Sequence, residues 1–155
     1  MRFQQLNRED GDKVFIAVRN VSGAALSKGA AVYFDDSAVD GNAVSGAMTS
    51  KSFLFAGILH SALADDAYGE AQVYGVCSAY FMPATSATSY ALGQQLVAVT
   101  SQVYLSADPG TTIVGSSAAT TIYTTWPFAT LYEAVASAAA LSNTPALKKI
   151  FVRAL

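Results

Sequence analysis

The sequence predicts an all-β protein: a small, mainly antiparallel barrel or sandwich with an extended N-terminal arm and at most one short helix. Three observations lead there. Runs of four to eight residues rich in Val, Ile, Tyr, Phe and Thr recur at intervals of about ten residues, a spacing that favours a barrel or sandwich over alternating strands and helices. Gly, Asn, Asp and Pro punctuate those runs as turn formers. The chain shows no heptad, no fixed-period repeat and no Gly/Ser linker that would separate domains. At 155 residues one domain buries roughly 70% of the surface its unfolded chain would expose, so a core needs no covalent staple.

Taken in order, residues 1–12 form the arm, with Glu9, Asp10 and Asp12 against Arg2 and Arg8, and only Phe3 and Leu6 as apolar anchors. Residues 13–155 form the single β-rich domain. KVFIAVR after Gly11 announces the first strand and NVSG closes it. AAVYF (30–34) is the second, followed by DDSAVDGN, in which Asp40-Gly41 accepts the positive φ of a tight hairpin turn. SFLFAGIL (52–59) ends before ADDAYG, and EAQVYGVCSAYF (70–81) ends at Pro83.

In the second half, SYALGQQLVAVTSQVYL (89–105) holds another strand pattern, stopped by Asp108-Pro109-Gly110, and TTIYTTW begins near residue 120 with strand-compatible threonines. FATLYEAVASAAAL (128–141) is open between helix and strand, since its Ala, Leu and Glu favour helix while its flanks favour strand. KKIFVRAL (148–155) is a closing strand with Ile150 and Val152 on one face and Phe151 and Arg153 on the other. KVFIAVR and KKIFVR are natural candidates to pair with each other.

Composition narrows the function. Charged residues are 13% of the chain, about half the roughly 25% usual for a soluble domain. Ser, Thr, Gly and the 29 alanines must therefore cover much of the outside, and such a surface is easily desolvated against a neighbour. Net charge is −2, and all nine Lys and Arg lie at or before Lys51 or at or after Lys148. A nucleic acid partner, which calls for a clustered positive field, is not expected. No stretch approaches the ~18 continuous apolar residues of a membrane span, and the polar N-terminus has no leader-like apolar segment, so no membrane partner is expected.

The parts for common catalytic routes are missing. The one histidine, His60, sits beside Ser61 and near Asp65, but groups so close in sequence do not converge as base, nucleophile and orienter. One His and one Cys do not make a zinc site, and the pairs Asp35/Asp36 and Asp65/Asp66 lack the spacing of a calcium loop, suiting Asx-type turns instead. The glycines near SKGA and NVSG carry no phosphate-binding motif. Cys77, in GVCSAYF, reads as a buried small hydrophobe. The expectation is a protein without enzymatic activity, and without catalytic, cofactor-binding or metal-binding residues.

Four phrases in order, V-R-N-V-S-G-A-A-L-S-K-G-A-A-V (18–32), V-D-G-N-A-V (39–44), F-A-G-I (55–58) and A-D-D-A-Y-G-E-A-Q-V-Y-G (64–75), with the closing K-I-F-V-R, resemble the head decoration, or cement, proteins of tailed bacteriophages. The resemblance implies a structural virion protein, made in the host bacterial cytoplasm, that adds to the outer surface of the capsid. There it would stabilise the head as a homotrimer bridging subunits of the major capsid protein, with an arm that becomes ordered on the shell. Arg2, Phe3, Leu6 and Arg8 are the arm residues this implies as capsid contacts. Tyr123, Trp126, Phe128 and Tyr132 form the densest aromatic group and suit either a subunit interface or the core. A tail-fibre or other virion adhesin module would share the composition, as, more distantly, would a small β-barrel ligand-binding protein or enzyme.

Overall fold

The computed structural model describes residues 12–35, 37, 41–46, 54–82, 89–99, 102–107, 111–114, 119–122, 128–135 and 144–154. Within them the chain is nearly all β and contains no α-helix. β1 (Val14–Asn20), β2 (Ala31–Phe34), β3 (Ala43–Ser45), β4 (Phe55–Leu59) and the first part of β5 (Tyr68–Phe81) close on one another as a five-stranded barrel. The order around it is β1-β3-β2-β4-β5, closed by β1 against β5. Only β1 and β3 run parallel in this ring. β2 and β3 pair antiparallel, with Tyr33 opposite Ser45 and Asp35 N donating to Ala43 O at 2.9 Å, so a longer loop over 36–42 joins them in place of the tight turn expected at Asp40-Gly41. Gly41 has φ 68°, and Asp40 lies outside the described residues.

β5 is 14 residues long and outlasts the barrel. Its second half pairs along its length with β11 (Ala146–Arg153), and the sheet continues through β10 (Ala129–Leu131), β6 (Gln95–Ala98) and β7 (Leu105–Ala107). β7 returns to β5 through Phe81 opposite Leu105 and a bond from Met82 N to Leu105 O of 2.9 Å, so these strands also form a closed circuit of pairings. β8 (Thr111–Val114) and β9 (Ala119–Ile122) make a separate two-stranded antiparallel pair.

Two hydrophobic cores follow from the two circuits. Val18, Leu26, Val32, Val44, Ala56, Leu59, Leu63 and Ala71 fill the barrel. Tyr33, Phe55, Ile58, Phe81, Leu96, Leu105, Leu131, Ile150 and Val152 make the larger second core. β2 and β4 belong to both. Val32 points into the barrel while Ala31 and Tyr33 point into the second core, and Ala56 and Leu59 oppose Phe55 and Ile58 in the same way. A strand buried on both faces loses polar alternation, which is why AAVYF and FAGIL read as continuous apolar runs.

The pivot between circuits is at Gly75, with φ at +102°. Gln72 is almost fully buried, and its Nε2 donates to Tyr74 O at 3.0 Å and Val76 O at 3.2 Å, bracketing the pivot. Asn20, fully buried at the end of β1, does comparable work for the loops. Its Nδ2 donates to the carbonyls of Ala24, Leu63 and Ala64 at 2.7, 3.2 and 3.1 Å, while its Oδ1 accepts from Ser22 N and Oγ.

Two expectations need correcting or completing. KVFIAVR and KKIFVR do not pair with each other: β1 lies against the first half of β5 and β11 against the second, so one long strand stands between them. Of the segment 128–141, the described part is extended, with Ala129–Leu131 as β10 and Val135 bridged to Tyr90. The second core needs the apolar faces of Ala129 and Leu131 at period two, and that tertiary demand overrides local helix propensity. Residues 136–141, and the arm apart from Asp12, lie outside the described residues.

Candidate functional site

The outward face of β11 and the second half of β5 is set by alternation. Ile150 and Val152 point into the second core with Cys77 and Ala79, leaving Lys149, Phe151 and Arg153 outward beside Tyr74, Val76 and Ser78. Tyr74 and Phe151 meet edge to face with ring centroids 5.1 Å apart. Phe15, on neighbouring β1, stands edge-on to the ring of His60 at 5.2 Å. Such T-shaped pairs add about 0.5–1.5 kcal/mol to area burial, enough to hold half-exposed rings in place. The face therefore offers fixed aromatic rings with cationic side chains among them.

Next to these rings, β4 ends while β5 swings away into the second circuit, and the divergence leaves a pocket of about 360 Å³. Ile58, Leu59, Val76 and Cys77 are its apolar lining residues, and Gln72, Ser78 and His60 add polar groups. Lys13, Lys28 and Lys149 also line it. They come from three separate places: the entry to β1, the turn before β2, and β11. The Lys28 turn is fixed by Gly29, whose N–H donates to Leu59 O at 2.9 Å and whose carbonyl accepts from Tyr80 N at 2.9 Å.

Cys77 is largely enclosed here. Burial pushes its thiol pKa up to about 12, with nearby Lys13 acting in the opposite direction, so the reactive thiolate is disfavoured at neutral pH. His60 lies exposed, with its backbone N–H on Glu70 O at 3.1 Å. The acidic pairs act on loops. Asp35 accepts from Ser37 N and Oγ in an Asx turn, Asp65 accepts from Gly23 N at 2.9 Å, and Asp66, at φ 58°, pairs with Arg19 at 2.9 Å.

Arg2, Phe3, Leu6, Arg8, Tyr123 and Trp126 lie outside the described residues. Of the remaining aromatic candidates, Phe128 packs against the second core, its ring centroid 5.0 Å from that of Phe55. Tyr132, just past β10, is 53% exposed. The structure thus separates these two: one is anchored inward and the other is available to a neighbour. The grouping of Lys13, Lys28 and Lys149 had no signal in spacing, because pairing of β5 with both β1 and β11 brings the chain's two ends together. Neither a scan against protein-family models nor a search of curated proteins matched the chain.

Proposed function

We propose that this chain is a structural virion protein that binds the outer surface of a phage head and stabilises it by bridging major capsid protein subunits, as a homotrimer. What carries the reading is where the four resembling phrases fall: 18–32, 39–44, 55–58 and 64–75 contribute residues to all five strands of the first barrel, so they describe one contiguous body. The outward face adds physical support. Aromatic rings flanked by cations are the residue types enriched where proteins bind proteins, and Phe15, Tyr74, Phe151, Lys149 and Arg153 meet that description. Sparse charge lowers the desolvation cost of covering the remaining surface, and repeated copies on a shell multiply weak contacts through avidity.

The direct test is addition of purified protein to undecorated, expanded capsids. Saturable binding at a fixed stoichiometry is expected; failure to bind any shell, together with binding to a host glycan, would favour an adhesin. Deleting residues 1–12 is expected to leave the thermal unfolding of the domain in place while lowering capsid occupancy, since an extended segment pairs only when a partner supplies the surface. Unchanged occupancy would remove the arm from the mechanism.

A further inference from the structure

We infer that the pocket between the end of β4 and the second half of β5 is an oxyanion-binding site, with Lys13, Lys28 and Lys149 as its charged ligands. The inference does not depend on the capsid reading. Three of the nine basic residues in the chain line this one pocket, and no carboxylate is among its lining residues. Asp12 and Glu70, the acids nearest in sequence to lining residues, do not line it. Two other described cations are neutralised: Arg19 pairs with Asp66 at 2.9 Å and Lys148 with Glu133 at 3.1 Å. Among the described residues the three pocket lysines have no such partner. Like charges gathered without a counter-charge repel, and a sparsely charged surface offers ample room to keep them apart.

The pocket is built as well as charged. Lys149 is fixed in register on β11 opposite Ser78, Lys28 on a turn held by two main-chain bonds, and Lys13 at the start of a paired strand. The exposed His60 ring is braced by Phe15, and Ser78 adds a hydroxyl donor. At about 360 Å³ the volume lies in the range of small-ligand sites and admits more than a bare ion. A carboxylate or phosphate group would sit among the ammonium groups, with the outward-facing Val76 beside its carbon-bearing side. Two sources share that chemistry: an acidic side chain of a neighbouring protein, or a free phosphate or carboxylate.

Nuclear magnetic resonance titration of the full chain separates them, using inorganic phosphate in one arm and a blocked penta-glutamate peptide in the other. Saturable shifts confined to Lys13, Lys28, His60, Gln72, Ser78 and Lys149 are expected, fading as salt rises. The Lys28→Gln/Lys149→Gln variant, altered at exposed positions, should bind about tenfold more weakly or worse, the loss of a charge-assisted hydrogen bond, while Lys149→Arg retains binding. Tighter binding of the peptide identifies a protein carboxylate as the source; tighter binding of phosphate identifies a free oxyanion. No saturable shift with either probe, or equal affinity in the double variant, overturns the assignment.

Discussion

Replacing Gly75 with alanine tests the idea that one bent strand holds two closed circuits together. At φ +102° the backbone lies where L side chains are strained, at a cost of about 1–3 kcal/mol. A Cβ there would also run into the carbonyl oxygen of Asp12 and come within 3.3 Å of Gln72 Nε2. The first obstacle is backbone, which has no rotamer to escape through, so the entry to β1 or the pivot itself must shift. Overpacking of that kind costs about 1–3 kcal/mol. Reduced entropy of the unfolded chain offsets about 0.4–1 kcal/mol. The expected net loss is about 1–5.5 kcal/mol, or a fall in Tm of roughly 2–20 °C for a domain of this size. Gly93→Ala is the matched control, because Gly93 also has positive φ, +91°, but an added Cβ there meets nothing within 4 Å. Urea unfolding of both variants followed by far-ultraviolet circular dichroism gives the comparison. If Gly75→Ala loses less than about 1 kcal/mol, or no more than Gly93→Ala, the steric account of the pivot is wrong.

Asn20→Ala should lower stability by about 2–4 kcal/mol, because it strands buried main-chain carbonyls that one side-chain amide now satisfies. Asn20→Asp should be worse, since a carboxylate would face those same carbonyls; chemical denaturation checks both. Cys77 should resist thiol reagents in the native state at pH 8 and react fully once unfolded, read by absorbance of the released chromophore. Its pH linkage has a definite sign. Near pH 9 and above the unfolded thiol ionises while the folded one, held up to about 12, does not, so its contribution to stability is intact below that window and declines as pH rises through it. A Cys77→Ala variant that loses stability with the same slope between pH 9 and 12 would remove Cys77 as the cause.

Much of the architecture was legible because strands advertise themselves through local chemistry. β-branched and aromatic runs bounded by turn residues marked β1, β2, β4, β5 and β11, and Asp35 forms the Asx turn its chemistry suggested, whereas Asp65 ties its loop to the distant Gly23 N–H. The failures were failures of pairing. KVFIAVR and KKIFVR have similar patterns, but pattern states which face is apolar and not which strand lies alongside. The segment after Phe128 carried helix-forming residues, yet Ala129 and Leu131 are needed at period two in the second core.

The pocket lysines show the same division most plainly. The sequence by itself determined an all-β chain, sparsely charged, with its cations confined to the two ends and a stretch from 52 to 147 without any. Along the chain that distribution looks like the absence of a basic cluster. Only the tertiary structure decided that Lys13, Lys28 and Lys149 share one cleft, because β5 is long enough to pair with β1 through one half and β11 through the other. Local propensity acts over a few residues, whereas convergence of distant side chains depends on strand register and on a glycine-permitted bend, both set by packing of the whole.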